Sequence, residues 1–342
     1  MKPVIGITMG DAAGIGPEII AKALSVKEIY DICKPIVIGD AKVMEEGLKV
    51  AKANLNLHKV SEINECKFKH RTIDILDLAN INIEKLIMGF PQAMAGKAAF
   101  EYIKKAIELA LEKKIHAITT APISKKALNM AGYNYPGHTE IFADLTKTKD
   151  YAMLLVYGPL KIIHITTHIS LREACDMIKK DLVFSTIKLA DKAMKEMGIG
   201  EPRVVVAGLN PHAGEDGLFG KEELEEIKPA IELAKKQGIN AVGPLPPDTT
   251  FLGAYKGEFD IAVAMYHDQG HIAVKMVGFE EGVNVTVGLP VIRTSVDHGT
   301  AYRRAGLRLG TANPKSLIEA IKLAAKMACV KFNSFTKQLL KN

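Results

Sequence analysis

Three histidines, His168, His212 and His267, each stand a few residues beyond a short apolar run of strand character. Ligands of open α/β sheets bind at the carboxyl edge of the strands. Three neutral imidazoles around one divalent ion leave coordination positions open for a substrate, as in catalytic centres. Taken singly, each would more often be a plain loop or core residue; three at the same topological position point to a metal centre. His164 falls inside a strand run and reads as a core residue, while His58, His70 and His116 sit in polar contexts with no evident partner.

The surroundings of two of these histidines are polar and rich in turn formers: Gly208-Leu209-Asn210-Pro211-His212-Ala213-Gly214-Glu215 and Met265-Tyr266-His267-Asp268-Gln269-Gly270-His271. A loop that merely joins two elements has no need of Asn, His and Glu packed among glycines. His267 and His271 are four apart, but Gly270 weakens a helical zinc motif, so His271 reads as a supporting or structural residue. Asp268 either steadies a ligand or is an ordinary turn aspartate. A second group supplies anion binders: His138, Thr139, Lys275, Asn284 and Arg293. The arginine follows the apolar segment 287–292, and a planar guanidinium suits two-point capture of a phosphate or carboxylate. Residues 294–300 read as a polar loop shaping the same pocket. The segment Gly10-Asp11-Ala12-Ala13-Gly14-Ile15-Gly16-Pro17 has the spacing G-x3-G-x-G, which is neither the dinucleotide nor the phosphate-loop signature, and a tight strand-to-helix turn explains it equally well.

Positioning these residues requires a regular scaffold. Short apolar runs alternate with segments of helical period, the pattern of a mostly parallel sheet covered by helices, which gives an α/β class. Strands are expected at 4–8, 35–38, 72–78, 117–120, 151–156, 161–166, 203–207, 261–265 and 283–287. Helices are expected at 17–25, 95–113, 171–197 as one long or two short, 221–236 and 314–329. Ser170 and Glu173 have capping-box spacing. A chain of 342 residues, 48% hydrophobic and 25% charged, can bury a large core and is not disordered. Its 45 basic against 39 acidic residues leave +6, with lysines scattered rather than striped, so neither nucleic acid nor a membrane surface is an expected partner. Four separated cysteines argue against a disulfide framework or a cysteine metal site, and a cytoplasmic setting fits. No stretch has the length and apolarity of a signal peptide or a membrane span.

Taken together, these motifs resemble the 4-hydroxythreonine-4-phosphate dehydrogenase family, related to the metal-dependent β-decarboxylating dehydrogenases of isocitrate and isopropylmalate. The marks run through the chain: Gly10-Asp11 to Glu18, Thr120-Ala121-Pro122-Ile123-Ser124-Lys125, Gly137-His138-Thr139-Glu140, Thr167-His168-Ile169-Ser170, Asn210-Pro211-His212, Pro247-Asp248-Thr249, His267-Asp268-Gln269-Gly270 and Arg293 to Thr300. Ala12 stands where the family usually has proline. The wording Gly270-His271-Ile272 is similar to the branch acting on D-threonate or D-erythronate 4-phosphate rather than to the vitamin B6 branch.

The resemblance implies a two-domain α/β/α architecture with the active site in the interdomain cleft. One discontinuous domain would comprise residues 1–120 with 280–342, and a second, 121–279, would carry metal ligands and dimer contacts. It implies that His168, His212 and His267 hold one divalent ion (zinc, magnesium, manganese or cobalt). His138, Thr139, Lys275, Asn284 and Arg293 would contact a phosphorylated substrate, in a homodimer whose sites mix both subunits. The implied reaction is NAD- or NADP-dependent oxidation of a C3 hydroxyl, acidified by the ion, followed by β-decarboxylation. Asp248 and a metal-bound hydroxide are the candidates for the base. A metal-dependent phosphate-ester hydrolase and a non-catalytic sugar-phosphate binding protein are the alternatives.

Overall fold

The computed structural model describes residues 2–278 and 280–339, with side chains to residue 332. Two compact units emerge: Met1–Lys149 with Leu289–Asn342, and Asp150–Gly288. The first stretch of the first unit runs β1 (Val4–Thr8), α1 (Gly16–Leu24), α2 (Lys27–Ile32), β2 (Lys34–Gly39), α3 (Ala41–Ala51), β3 (Asn56–Val60), β4 (Thr72–Asp77), α4 (Ala93–Leu111), β5 (Ala117–Thr120), α5 (Lys125–Met130) and α6 (His138–Leu145). The second unit holds β6 (Ala152–Tyr157), β7 (Leu160–His164), α7 (Leu171–Met177), α8 (Lys180–Glu196), β8 (Val204–Ala207), α9 (Lys228–Lys236), β9 (Ala241–Leu245), α10 (Pro247–Tyr255), β10 (Ile261–Ala264), α11 (His267–Val277) and β11 (Val283–Val287). The chain then returns to the first unit with β12 (Arg293–Val296), α12 (Tyr302–Leu307) and α13 (Lys315–Leu339).

The first unit orders its strands β3-β4-β2-β1-β5-β12, all parallel. Its central strands are buried on both faces, which is why they appear in sequence as unbroken apolar runs rather than alternations. The second unit orders its strands β11-β6-β7-β10-β8-β9. There β11, β6 and β7 are antiparallel neighbours, whereas β7, β10, β8 and β9 are parallel. Leu155, Ile162, Val205, Ala262 and Phe251 lie in its core. The expected division at 120/121 and 279/280 thus differs from the compact units. Helices α5 and α6 pack on α4 of the first unit, and β11 pairs with β6 of the second, which moves both boundaries C-terminally.

The α4–α5 packing depends on Gly96, where a Cβ would overlap the backbone carbonyl of Ala127. Glycine in a helix interior normally costs stability relative to alanine. Here the sign should reverse, because the obstructing atoms are backbone: Gly96→Ala is expected to destabilise by about 3 kcal/mol or more, read as a lowered unfolding midpoint in denaturant.

Three strands escaped the sequence reading, each for a physical reason. β3 is a half-exposed edge with little apolar content, and β9, also an edge, contains Gly243 and Pro244. β12 corrects the reading of 294–300 as a polar loop. Residues 293–296 form a buried strand whose hydroxyls are satisfied internally: Thr294 Oγ1 lies 3.0 Å from Thr119 Oγ1 and donates to the Ala320 carbonyl at 2.9 Å. The segment 171–197 forms two helices, broken where Ile178 and Lys179 turn extended; Ser170 caps the first by accepting from Glu173 N. His58, His70 and His116 are not partnerless. His58 Nδ1 lies 2.7 Å from buried Asp74, His70 Nε2 faces the Ser25 carbonyl, and Val4 N donates to His116 Nδ1. Among the described residues no helix is long and apolar enough to cross a membrane.

Candidate active site

Because β7, β10 and β8 are parallel neighbours, their carboxyl ends share one edge of the second unit. His168 follows β7, His267 opens α11 after β10, and His212 follows β8. The His168 and His267 rings have centres 5.9 Å apart and line one recess of about 300 Å³ with Thr167, Leu171 and Tyr266. Two imidazoles on a shared tetrahedral ion, with bonds of about 2.0–2.1 Å, would have ring centres roughly 5 Å apart, so this pair fits an ion with little movement. His267 Nδ1 lies 2.6 Å from Asp268 Oδ1, and His212 Nδ1 lies 3.3 Å from Glu215 Oε2. A carboxylate accepts, so each Nδ1 carries the proton and each Nε2 presents its lone pair, the arrangement that prepares a histidine for a metal. Among the described residues no three potential ligands gather within one chain; His212 stands exposed on its own turn.

That turn is unusual. His212, Ala213, Gly214, Glu215 and Asp216 are successively left-handed, four of them non-glycine, at a cost of roughly 1–2 kcal/mol each. Such a backbone persists only when its surroundings hold it. Glu223, 1% exposed, does so: its carboxylate accepts from Leu209 N, Asn210 N and Asn210 Nδ2. Gln269 ties the same loop to α11, donating to the Gly208 carbonyl and accepting from Met265 N. Sequence reasoning passed over Glu223 because it sits in the run Glu222-Glu223-Leu224-Glu225-Glu226, which looks like a solvated face. The turn that leads into α9 swings this one acid inward.

In the first unit His138 and Thr139 open α6, and a helix N-terminus favours an anion. Arg293 comes up beside them from β12. It is 2% exposed, donates to Thr120 Oγ1 at 2.9 Å, and stands 5.7 Å from the Phe142 ring centre. Burial pushes the guanidinium down to about 9, which leaves it charged at neutral pH. Burial and then the Arg293 charge hold His138 well below the usual imidazole range, so it is a neutral donor. Its Nε2 is buried with no hydrogen-bond partner among the described residues. Lys275, in the last turn of α11, and Asn284, on β11, belong to the second unit.

The glycine-rich segment is a locked turn. Asp11 N donates to the Pro122 carbonyl, its carboxylate accepts from Ala13 N and Tyr302 Oη, and Ile15 N donates to the Thr300 carbonyl. Burial raises the Asp11 carboxyl. Beside the turn lies an apolar recess of about 340 Å³ bordered by Gly14, Pro17, Gly47, Met88 and Gly306, large enough for a nucleoside. Asp248, on the first turn of α10, is exposed and lines a different recess from His168 and His267, with Phe251, Leu252, Ile272 and Met276.

The model of the family described as pyridoxal phosphate biosynthetic protein PdxA matches residues 31–324. The chain belongs to the PdxA family. A Halalkalibacterium halodurans protein named "Putative D-threonate 4-phosphate dehydrogenase" is 50% identical over 327 residues, 96% of this chain and 97% of that protein. A solved 4-hydroxythreonine-4-phosphate dehydrogenase from Klebsiella pneumoniae is 45% identical, with a TM-score of 0.88 over 96% of this chain and 98% of that one. Another, from Burkholderia phymatum, is 48% identical with a TM-score of 0.85 over 96% and 98%. The PdxA resemblance read from the motifs therefore holds, and the chain is a PdxA-type dehydrogenase.

Proposed function

We propose that this PdxA-family chain oxidises the C3 hydroxyl of a 4-phosphorylated four-carbon hydroxy acid, with D-threonate 4-phosphate as the preferred substrate, and that β-decarboxylation follows. The observation that carries this reading is the row of histidines at the edge of three parallel strands, two with Nδ1 held by a carboxylate. The 50% relative's name favours the D-threonate side. Bound at these groups, a divalent ion would acidify the hydroxyl and polarise the ketone, and a nicotinamide dinucleotide would accept the hydride. His168, His212 and His267 hold the ion. Arg293, neutral His138, Thr139 and the α6 N-terminus grip the phosphate, with Lys275 and Asn284 supplying further donors. The proton of the C3 hydroxyl passes to a base as the hydrogen on C3 leaves as hydride, and loss of the carboxylate as carbon dioxide leaves its electron pair in an enolate that is then protonated. Asp248 lies outside the histidine recess of its own chain, so it serves as base only when a second subunit delivers it.

Steady-state assays should show NAD or NADP reduction that requires both added divalent metal and D-threonate 4-phosphate, with slower turnover of 4-phosphohydroxy-L-threonine. Phosphate release without dinucleotide reduction would identify a hydrolase instead, and binding without either product would identify a sensor.

One surface favours a homodimer. Leu252 and Tyr255 on α10 and Ile272 and Met276 on α11 are 52%, 41%, 63% and 82% exposed, an apolar face that a second copy would cover. If the ligands of one ion come from two chains, mixing inactive His212→Ala with inactive His267→Ala subunits should restore part of the activity. No recovery after verified subunit exchange would place the whole site in one chain.

A further inference from the structure

His271 lies flat on His267. Their ring centres are 3.6 Å apart and their planes are within 12°. His271 Nδ1 stands 3.0 Å from the backbone carbonyl of His267, and a carbonyl only accepts, so that nitrogen carries the proton. At the side of the pair, His164 is 2% exposed, with its ring centre 4.7 Å from that of His271 and 6.4 Å from that of His267. Gly270 makes the room, since a Cβ there would overlap His164 Nε2. Three imidazoles thus pack together, with His164 from the strand interior flanking the stacked pair.

The stacked ring does what Asp268 cannot do alone. The Asp268 carboxylate holds one point of the His267 ring and is itself 72% exposed, and exposed pairs of this kind contribute little. A single hydrogen bond also leaves the ring free to swing about it. A second ring laid against the face fixes the plane, and with it the direction in which Nε2 points. The i, i+4 spacing by itself would suggest His271 as another ligand, but its ring meets the face of His267 rather than converging edge-on with it, and its Nδ1 is committed to the carbonyl.

We propose that His271, flanked by His164 in the space left by Gly270, is a positioning residue that sets the ring plane of His267; this rests on reading His267 as a metal ligand. The test is titration of the metal-stripped full-length protein with cobalt(II), followed by its visible absorption bands, in wild type, His271→Ala, His271→Phe and His267→Ala. Phenylalanine keeps a ring on the stack and removes both nitrogens. His271→Ala should weaken cobalt affinity by about 10–100-fold and alter the visible bands, while His271→Phe stays close to wild type. In turnover, His271→Ala should lower kcat and leave KM for the dinucleotide unchanged, with the unfolding midpoint of the metal-free protein unmoved. Wild-type affinity in His271→Ala would overturn the proposal. So would an equal loss in His271→Phe, which would make a ring nitrogen, and not the stack, the active feature. His267→Ala tests the underlying reading separately: cobalt binding that survives it removes His267 from the ligand set.

Discussion

Alanine in place of His168, His212 or His267 is expected to cut kcat/KM by about a thousandfold or more, with the fold intact. A bound ion contributes several kcal/mol of charge stabilisation, and each 1.36 kcal/mol is a factor of ten in rate. Loss of one of three protein ligands removes most of that. The fold should survive because His212 and His267 stand at the carboxyl edge with partly exposed side chains, outside the packed strand core. Chelation of the wild type should reproduce the loss, and added divalent metal should reverse it in the wild type but not in the variants. Circular dichroism and unfolding midpoints check the fold alongside steady-state kinetics. A thoroughly metal-stripped wild type that retains full turnover would sink the metal reading.

The second large effect concerns the phosphate. A hydrogen bond to a charged group contributes about 1.5–3 kcal/mol, or roughly 10–150-fold, and the group formed by Arg293, His138 and the α6 N-terminus offers several. Wild-type kcat/KM on the dephosphorylated substrate is therefore expected to fall by on the order of a thousandfold or more. Binding energy at this remote group also holds the reacting carbon in place, so kcat should fall with affinity. Arg293→Lys keeps a charge but loses the planar fork, the bond to Thr120 and the contact with the Phe142 ring. It should impair the phosphorylated substrate by about a hundredfold and the dephosphorylated one hardly at all. The comparison needs both compounds with both proteins. Equal wild-type turnover of the two would remove phosphate recognition from the mechanism.

What could be read from the residues and what could not divides along burial. The strands next to the candidate residues were visible as short segments of strand length bounded by turns, β1, β7, β8 and β10 mostly apolar and β11 as the alternation Val283-Asn284-Val285-Thr286-Val287. β12 was invisible because Thr294 and Ser295 are polar, and only a partner such as Thr119, distant in sequence, makes their burial tolerable. His168, His212 and His267 were singled out through their place after strands. Glu223 was missed because its function lies in being turned inward, which depends on the loop at 208–210 that it binds. The Asp248 assignment came from the family motif alone, and in this chain Asp248 lines a recess apart from the one lined by His168 and His267.

The late return of the chain to its first unit has a consequence for biosynthesis. β5 gains β12 as its outer neighbour only from residues 293–296, after the whole of Asp150–Gly288 has been made. A chain emerging from the ribosome can therefore complete the second unit while β5 still offers an open, apolar edge. Arg293 itself arrives with the strand that closes that edge. Arg293 and the closure of the first sheet are thus acquired in the same few residues of synthesis, and a nascent protein cut short before them carries His168, His212 and His267 without the buried guanidinium of the proposed phosphate grip.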